Sequence, residues 1–220
     1  MFFPSPMGLT LNLALQRTRS DMSLTVLPLT PERLPDLDTV FQARGCSIAK
    51  ACYCMHYREA GKPPSLKAGE THASRNRAAL ARLANSEMPP GLLGYKNGRP
   101  AGWISLGPRK DFVRLANSPT MRSIDDHPVW SIICFVVPSE YRKQGVAHEL
   151  LAAAVDFART RGATWLEAYP VDRDAPNAPN ASWFGSTSMF LKAGFTEVAR
   201  HKPTRPIVRL ELAGDPTLGA

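Results

Sequence analysis

Residues 130–147 read Trp130-Ser131-Ile132-Ile133-Cys134-Phe135-Val136-Val137-Pro138-Ser139-Glu140-Tyr141-Arg142-Lys143-Gln144-Gly145-Val146-Ala147. The first eight are apolar on both alternating faces, the pattern of a central strand covered on two sides. Pro138 ends the strand because it has no N–H to give to a ladder. After the glycine-containing turn, Ala147, Leu150, Leu151, Ala154, Val155 and Ala158 fall on one helical stripe, with Glu149, Asp156, Arg159 and Arg161 elsewhere, and Gly162 is placed to cap the end. A strand that empties through such a turn into a helix start suits a phosphate. Free backbone N–H groups, the positive end of the helix dipole and the charges of Arg142 and Lys143 all favour an anion there.

The type of phosphate ligand follows from the spacing. A dinucleotide fold calls for G-x-G-x-x-G with an acidic residue about 20 positions on, and a P-loop calls for G-x-x-x-x-G-K-[ST]. Neither is present. Residues 142–147 instead fit [Arg or Gln]-x-x-Gly-x-[Gly or Ala], which resembles the pyrophosphate-binding signature of the GNAT superfamily of acyl-CoA-dependent N-acyltransferases. Gly145 without a β-carbon and a small Ala147 would let the backbone approach a pyrophosphate, and Arg142 would add charge-assisted hydrogen bonds. The resemblance implies an α/β (α+β) fold with a mixed, mostly antiparallel sheet, a splayed parallel pair and helices on both faces. It assigns acetyl-CoA to Arg142, Lys143, Gln144, Gly145, Val146 and Ala147, with the pantetheine arm along Phe135, Val136 and Val137.

The flanking sequence agrees with that order. Residues 163–171 form a second strand, so strand, helix and strand make a right-handed parallel unit. A polar, proline-rich loop over 172–180 precedes a helix-like run over 182–195. Its Lys192-Ala193-Gly194-Phe195 ending is similar to the last helix of GNAT proteins, with Gly194 as left-handed cap. Residues 196–201 and 207–212 then read as a closing hairpin. Upstream, Asn97-Gly98 between apolar alternations marks a hairpin over 91–107. Residues 71–85 read as a helix with Ala79, Leu80 and Leu83 inward. Residues 24–28 read as a first strand before a helix opened by Thr30-Pro31-Glu32-Arg33.

One position departs from the family. Many GNAT enzymes carry a tyrosine that protonates the leaving thiolate where this chain has Phe190. Losing one general acid slows a reaction by roughly 10²- to 10⁴-fold without forbidding it. Ser186, Thr187 and Tyr169 are the hydroxyls that could substitute, with capping or core filling as their ordinary roles. For the base, Glu167 alternates with Trp165 and Tyr169 in an apolar strand where burial would raise its pKa. Asp172 is second, and pairing of Glu167 with an arginine is the alternative. Glu167, Tyr169 and Ser186 are thus the catalytic candidates, unless a water relay replaces a single base.

In GNAT proteins the acceptor is gripped largely between the first two helices and by the loop before the central strand. The first of these segments carries Cys46 and Cys52-Tyr53-Cys54-Met55-His56-Tyr57-Arg58, similar to a Cys-aromatic-Cys-Met pattern in a bacterial GNAT subgroup. Tyr53 and Tyr57 supply aromatic wall and Arg58 a cation near the mouth. Arg109 either meets an acidic substrate group or is a solvated loop residue. On one helix Cys52 and His56 would share a face, yet no second ligand pair follows at zinc spacing, so no metal is expected.

The 220 residues, 44% of them hydrophobic, suit one domain over 22–214, with residues 1–21 as an N-terminal extension and 215–220 as a tail. Met22 is an alternative start. Residues 1–21 have their arginines after the apolar stretch, the reverse of a secretory signal. No run approaches the ~20 apolar residues that span a bilayer, so no membrane is expected, and four irregularly spaced cysteines suggest reduced thiols in the cytoplasm. The net charge of +8 is dispersed, densest over 200–209, with no nucleic-acid motif beside it. The expected activity is acetyl transfer from acetyl-CoA to a small-molecule primary amine, and the resemblance leaves a homodimer open, as many GNAT proteins dimerise. The competing readings are a non-catalytic acyl-CoA-binding regulatory module, marked by Phe190, and a basic nucleic-acid-binding domain.

Overall fold

Asn97 and Gly98 take φ of 50° and 73° and close the hairpin of β2 (Gly91–Lys96) and β3 (Arg99–Pro108), as a two-residue turn with both central φ positive must. The computed structural model describes residues 24–61, 65–172 and 183–212. The expected N-terminal extension, the C-terminal tail and most of the proline-rich loop lie outside the described residues. β1 (Thr25–Pro28) pairs antiparallel with β2, and β4 (Trp130–Val136) antiparallel with β3. β5 (Trp165–Ala168) lies parallel to β4, and β6 (Thr196–Lys202) and β7 (Arg205–Glu211) form the closing hairpin. The sheet order is β1-β2-β3-β4-β5-β7-β6.

Alternation along the strands divides the core between two faces. Leu93, Trp103 and Val136 point to one face, beneath α1 (Leu34–Gln42), α2 (Ser47–Cys52) and α3 (His72–Ala84). Leu92, Ile104 and Phe135 point to the other, beneath α4 (Val146–Thr160) and α5 (Thr187–Lys192). Full burial of side chains such as Phe41, Leu93 and Ile104, all at 0% exposure, contributes about 1.5–3 kcal/mol each. Gly94 and Gly102 oppose each other in the β2–β3 register. They form the hollow that receives α4, since a β-carbon on Gly102 would stand 2.9 Å from both Leu150 and Val146. Gly162 caps α4 with φ 74°, while Ala163 N–H reaches Ala158 C=O and Gly162 N–H reaches Arg159 C=O, both at 3.0 Å. This is the paired-bond ending expected of a glycine cap.

Three elements differ from the expectation. β5 spans four residues where the sequence suggested nine, because the chain leaves the sheet after Ala168. α5 has six residues, preceded by a short turn at Trp183 and Phe184. The helix carrying Cys52 stops there, and Tyr53 and Cys54 take φ of 44° and 51°, so Cys52 and His56 do not share a helical face. Among the described residues no helix is long and apolar enough to cross a membrane.

Candidate functional site

β4 and β5 hold register at only three positions, Trp130 with Leu166, Ser131 with Glu167 and Ile132 with Ala168. Beyond them β4 keeps β3 on one side and no strand on the other, while Val171 turns to bridge Ser186. The splay opens a cavity of about 1080 Å³. Phe135, Val136 and Val137 line it from the sheet, Ala147 and Arg142 from the start of α4, and Cys46, Cys52, Cys54, His56 and Tyr57 from the segment around α2. Six of the residues assigned from sequence, Tyr57, Phe135, Val136, Val137, Arg142 and Ala147, thus meet at one cavity.

At its α4 end, Gly145 is the N-cap in the left-handed region with φ 84°, and Lys143 has φ 60°. Gly145 is needed for that backbone angle rather than for room, since the nearest atom to an added β-carbon would be Glu149 Oε1 at 3.8 Å. Among the described residues the backbone N–H groups of residues 143–147 find no acceptor, and a helix start leaves such donors free. Arg142 does not extend over this turn. Its guanidinium donates to Val137 C=O at 3.0 Å and Gly45 C=O at 2.6 Å, tying the end of β4 to the loop between α1 and α2. Gln144 accepts from Lys96 Nζ at 2.6 Å, and Val146 is a core residue.

The three sequence candidates for proton transfer lie elsewhere. Glu167 has 0% exposure and sits between Arg109 Nη1 at 2.9 Å and Arg209 Nε at 2.8 Å, with the Tyr169 hydroxyl donating to it at 2.5 Å. Arg109 also contacts the Tyr169 hydroxyl and donates to Met121 C=O at 2.7 Å, and Ser131 and Tyr169 share a hydrogen bond at 2.9 Å. Arg209 continues the chain of charges to Asp125. Burial and the neighbouring Glu167 carboxylate push the Tyr169 phenol well above its usual range. Glu167, Tyr169 and Arg109 therefore form an internal ion network, and none of them lines the cavity. Ser186 caps α5, accepting from Met189 N–H at 3.3 Å. Phe190, at the usual tyrosine position, packs at 0% exposure against Phe135 and Phe195. Asp172 accepts from Thr187 Oγ1 and Arg200, both at 2.6 Å.

The segment after α2 divides as well. Tyr53 is buried with its hydroxyl donating to Asp38 at 2.9 Å. Arg58 is not at a mouth, as it donates to Pro90 and Leu106 carbonyls and stacks 4.2 Å from the Phe112 ring. Burial brings its pKa down to about 10. His56 and Tyr57 do face open space. They line both the large cavity and a second one of about 520 Å³ that also holds Arg114, Asn117, Thr120 and Arg205. Their rings meet edge-on at 4.8 Å. Partial burial, with Arg114 nearby, lowers the His56 pKa, whereas burial raises that of Tyr57. All four cysteines line the large cavity. The neighbouring Cys134 thiol holds the Cys54 thiol below its usual range, while Cys54 and burial raise that of Cys134. His56, which in the sequence stands out only as a metal candidate, and Arg114 and Arg205, which carry no motif, also line these cavities.

Residues 55–184 match the model of the acetyltransferase (GNAT) family. The chain belongs to the GNAT acetyltransferase family. Among solved structures, this GNAT chain is similar to an acetyltransferase of the GNAT family from Listeria monocytogenes, at 10% identity over 86% of this chain and 95% of that one, TM-score 0.52. It is also similar to an N-acetyltransferase from Staphylococcus aureus, at 15% identity over 87% and 99%, TM-score 0.50. At such identities the likeness is one of fold. No curated protein matches the GNAT chain.

Proposed function

We propose that this acetyltransferase moves an acetyl group from acetyl-CoA to the primary amine of a small acceptor by direct attack. The observation that carries the reading is the cavity at the splay, which runs beside the unpaired edge of β4 and ends where Arg142 and Ala147 line it, at the turn into α4 whose N–H groups over 143–147 find no acceptor among the described residues. The pyrophosphate fits those amides and the helix dipole, and the pantetheine arm fits along Phe135, Val136 and Val137. Cys46, Cys52, Cys54 and Tyr57 form the opposite wall.

In the reaction the amine nitrogen bonds to the thioester carbonyl carbon, the carbon–sulfur bond breaks, the amine loses a proton and the thiolate gains one. An amine near pKa 10 arrives charged and must be deprotonated. His56 is the base this geometry favours, because it faces both cavities and its lowered pKa keeps it neutral near pH 7. Tyr57 is the acid, since its phenol is protonated near pH 7 and lines the cavity beside His56. Its place beside His56 makes up for Phe190. Titration calorimetry with coenzyme A, followed by mass spectrometry of an amine panel incubated with acetyl-CoA, tests the reading. Coenzyme A binding with acetylated amine is expected, and His56→Gln and Tyr57→Phe each slow transfer by roughly 10²- to 10⁴-fold. No coenzyme A binding, or full rates in both variants, would overturn it.

A further inference from the structure

Among the described residues, the lining of the 520 Å³ cavity carries a charge that nothing balances. Arg205 and Arg114 both line it, and none of its described lining residues is acidic. Arg205 donates to Tyr169 C=O at 3.1 Å and stacks 4.2 Å from the Phe184 ring, but its Nε is buried without an acceptor. Arg114 is held by two carbonyls, Glu59 at 2.7 Å and Gly61 at 2.8 Å. Neither makes an ion pair among the described residues. Arg109, Arg200 and Arg209, in the same part of the molecule, each have a carboxylate within 2.9 Å. A half-buried guanidinium without a counter-ion is unfavourable unless a ligand supplies the charge. Two of them facing one hollow define an anion site, and burial already lowers the Arg205 pKa.

We propose that the acceptor is an amine that also carries a carboxylate, with the carboxylate held by Arg205 and Arg114 and the amine extending to His56 and Tyr57, where the two cavities share a wall. The planar guanidinium fork matches a carboxylate. This rests on the acetyl-transfer reading and adds the acceptor class to it. A simple polyamine lacks the anion and would bring its own charges against two arginines.

The test uses matched pairs of amines that differ only by a carboxylate: L-lysine with 1,5-diaminopentane, L-phenylalanine with phenethylamine, and β-alanine with ethylamine. Phosphoethanolamine against ethanolamine serves as the phosphate arm. The carboxylated member is expected to have a KM lower by about tenfold or more, as a charged hydrogen-bonded contact gives. Arg205→Gln should abolish that preference while coenzyme A affinity by calorimetry stays at the wild-type value. Arg205→Lys should keep part of it. If Arg205→Gln fails to fold, Arg114→Gln should abolish the same preference, read only as the KM ratio within each pair, because Arg114 also lines the large cavity. Equal use of both members of every pair, a preference that survives these substitutions, or a preference confined to the phosphate arm would overturn the proposal. If no amine is acetylated, the acyl-transfer reading fails separately, and thermal shift decides the site. N-acetyl-L-lysine would then stabilise the wild type and not Arg205→Gln, and stabilisation of neither or of both would overturn the proposal.

Discussion

Glu167 is held between Arg109 and Arg209 with both carboxylate oxygens engaged and 0% exposure. Removing one partner from such a buried network leaves the rest uncompensated, which costs about 3–5 kcal/mol. Glu167→Gln is therefore expected to lower unfolding stability in urea by that order while coenzyme A affinity by calorimetry holds, since Glu167 does not line the cavity. Asp125 at the exposed end of the network responds to pH. Hydrogen bonds from Arg209 hold its carboxyl well below the usual range. Its stabilising contribution is complete above the unfolded value of about 3.9 and is lost as pH falls below that. The stability gap between wild type and Asp125→Asn should be constant near neutrality and close in acid. His56 gives a kinetic counterpart. With its pKa lowered by burial and by Arg114, the acidic limb of kcat/KM should lie below the ordinary histidine value of about 6.5, vanish in His56→Gln and move upward in Arg114→Gln.

The elements show where local sequence is informative. The Asn97-Gly98 turn, the apolar stripe of α4 and the caps at Gly162 and Gly194 depend on neighbours a few residues away, and they were legible as written. The length of β5 was not, because it is set by where the sheet parts rather than by residues 163–171. Tyr53 and Cys54 end α2 in the left-handed region without a glycine to signal it. Glu167 meets Arg109 and Arg209, 58 and 42 residues away, so its role depended on partners its strand cannot reveal. The phosphate-binding turn was legible as a motif, but the use of Arg142 as a brace to Gly45 was not. At the start of α4 the left-handed Gly145 is the sensitive point. Gly145→Ala should cost about 1–2 kcal/mol in stability and weaken coenzyme A binding in calorimetry, while Gly98→Ala, far from the cavity at the hairpin turn, should leave that binding unchanged.

At the scale of the whole molecule, the sheet halves are joined along the line where the cavity opens. A ligand that fills it bridges α2, β4 and α4 at once. Coenzyme A at 100 times its dissociation constant should add about 2.7 kcal/mol to unfolding stability, read as a rise in Tm that disappears when the ligand is dialysed away. The net charge of +8 adds a long-range attraction for so anionic a ligand, so association should slow as salt is raised.

The two cavities meet at His56, Tyr57 and Arg114 without either enclosing the other. Donor and acceptor can thus reside on the protein together, each reaching the shared wall from its own side. Initial-rate plots against one substrate at fixed levels of the other should intersect rather than run parallel, and a dead-end analogue filling one hollow should leave the opposite one open to its occupant.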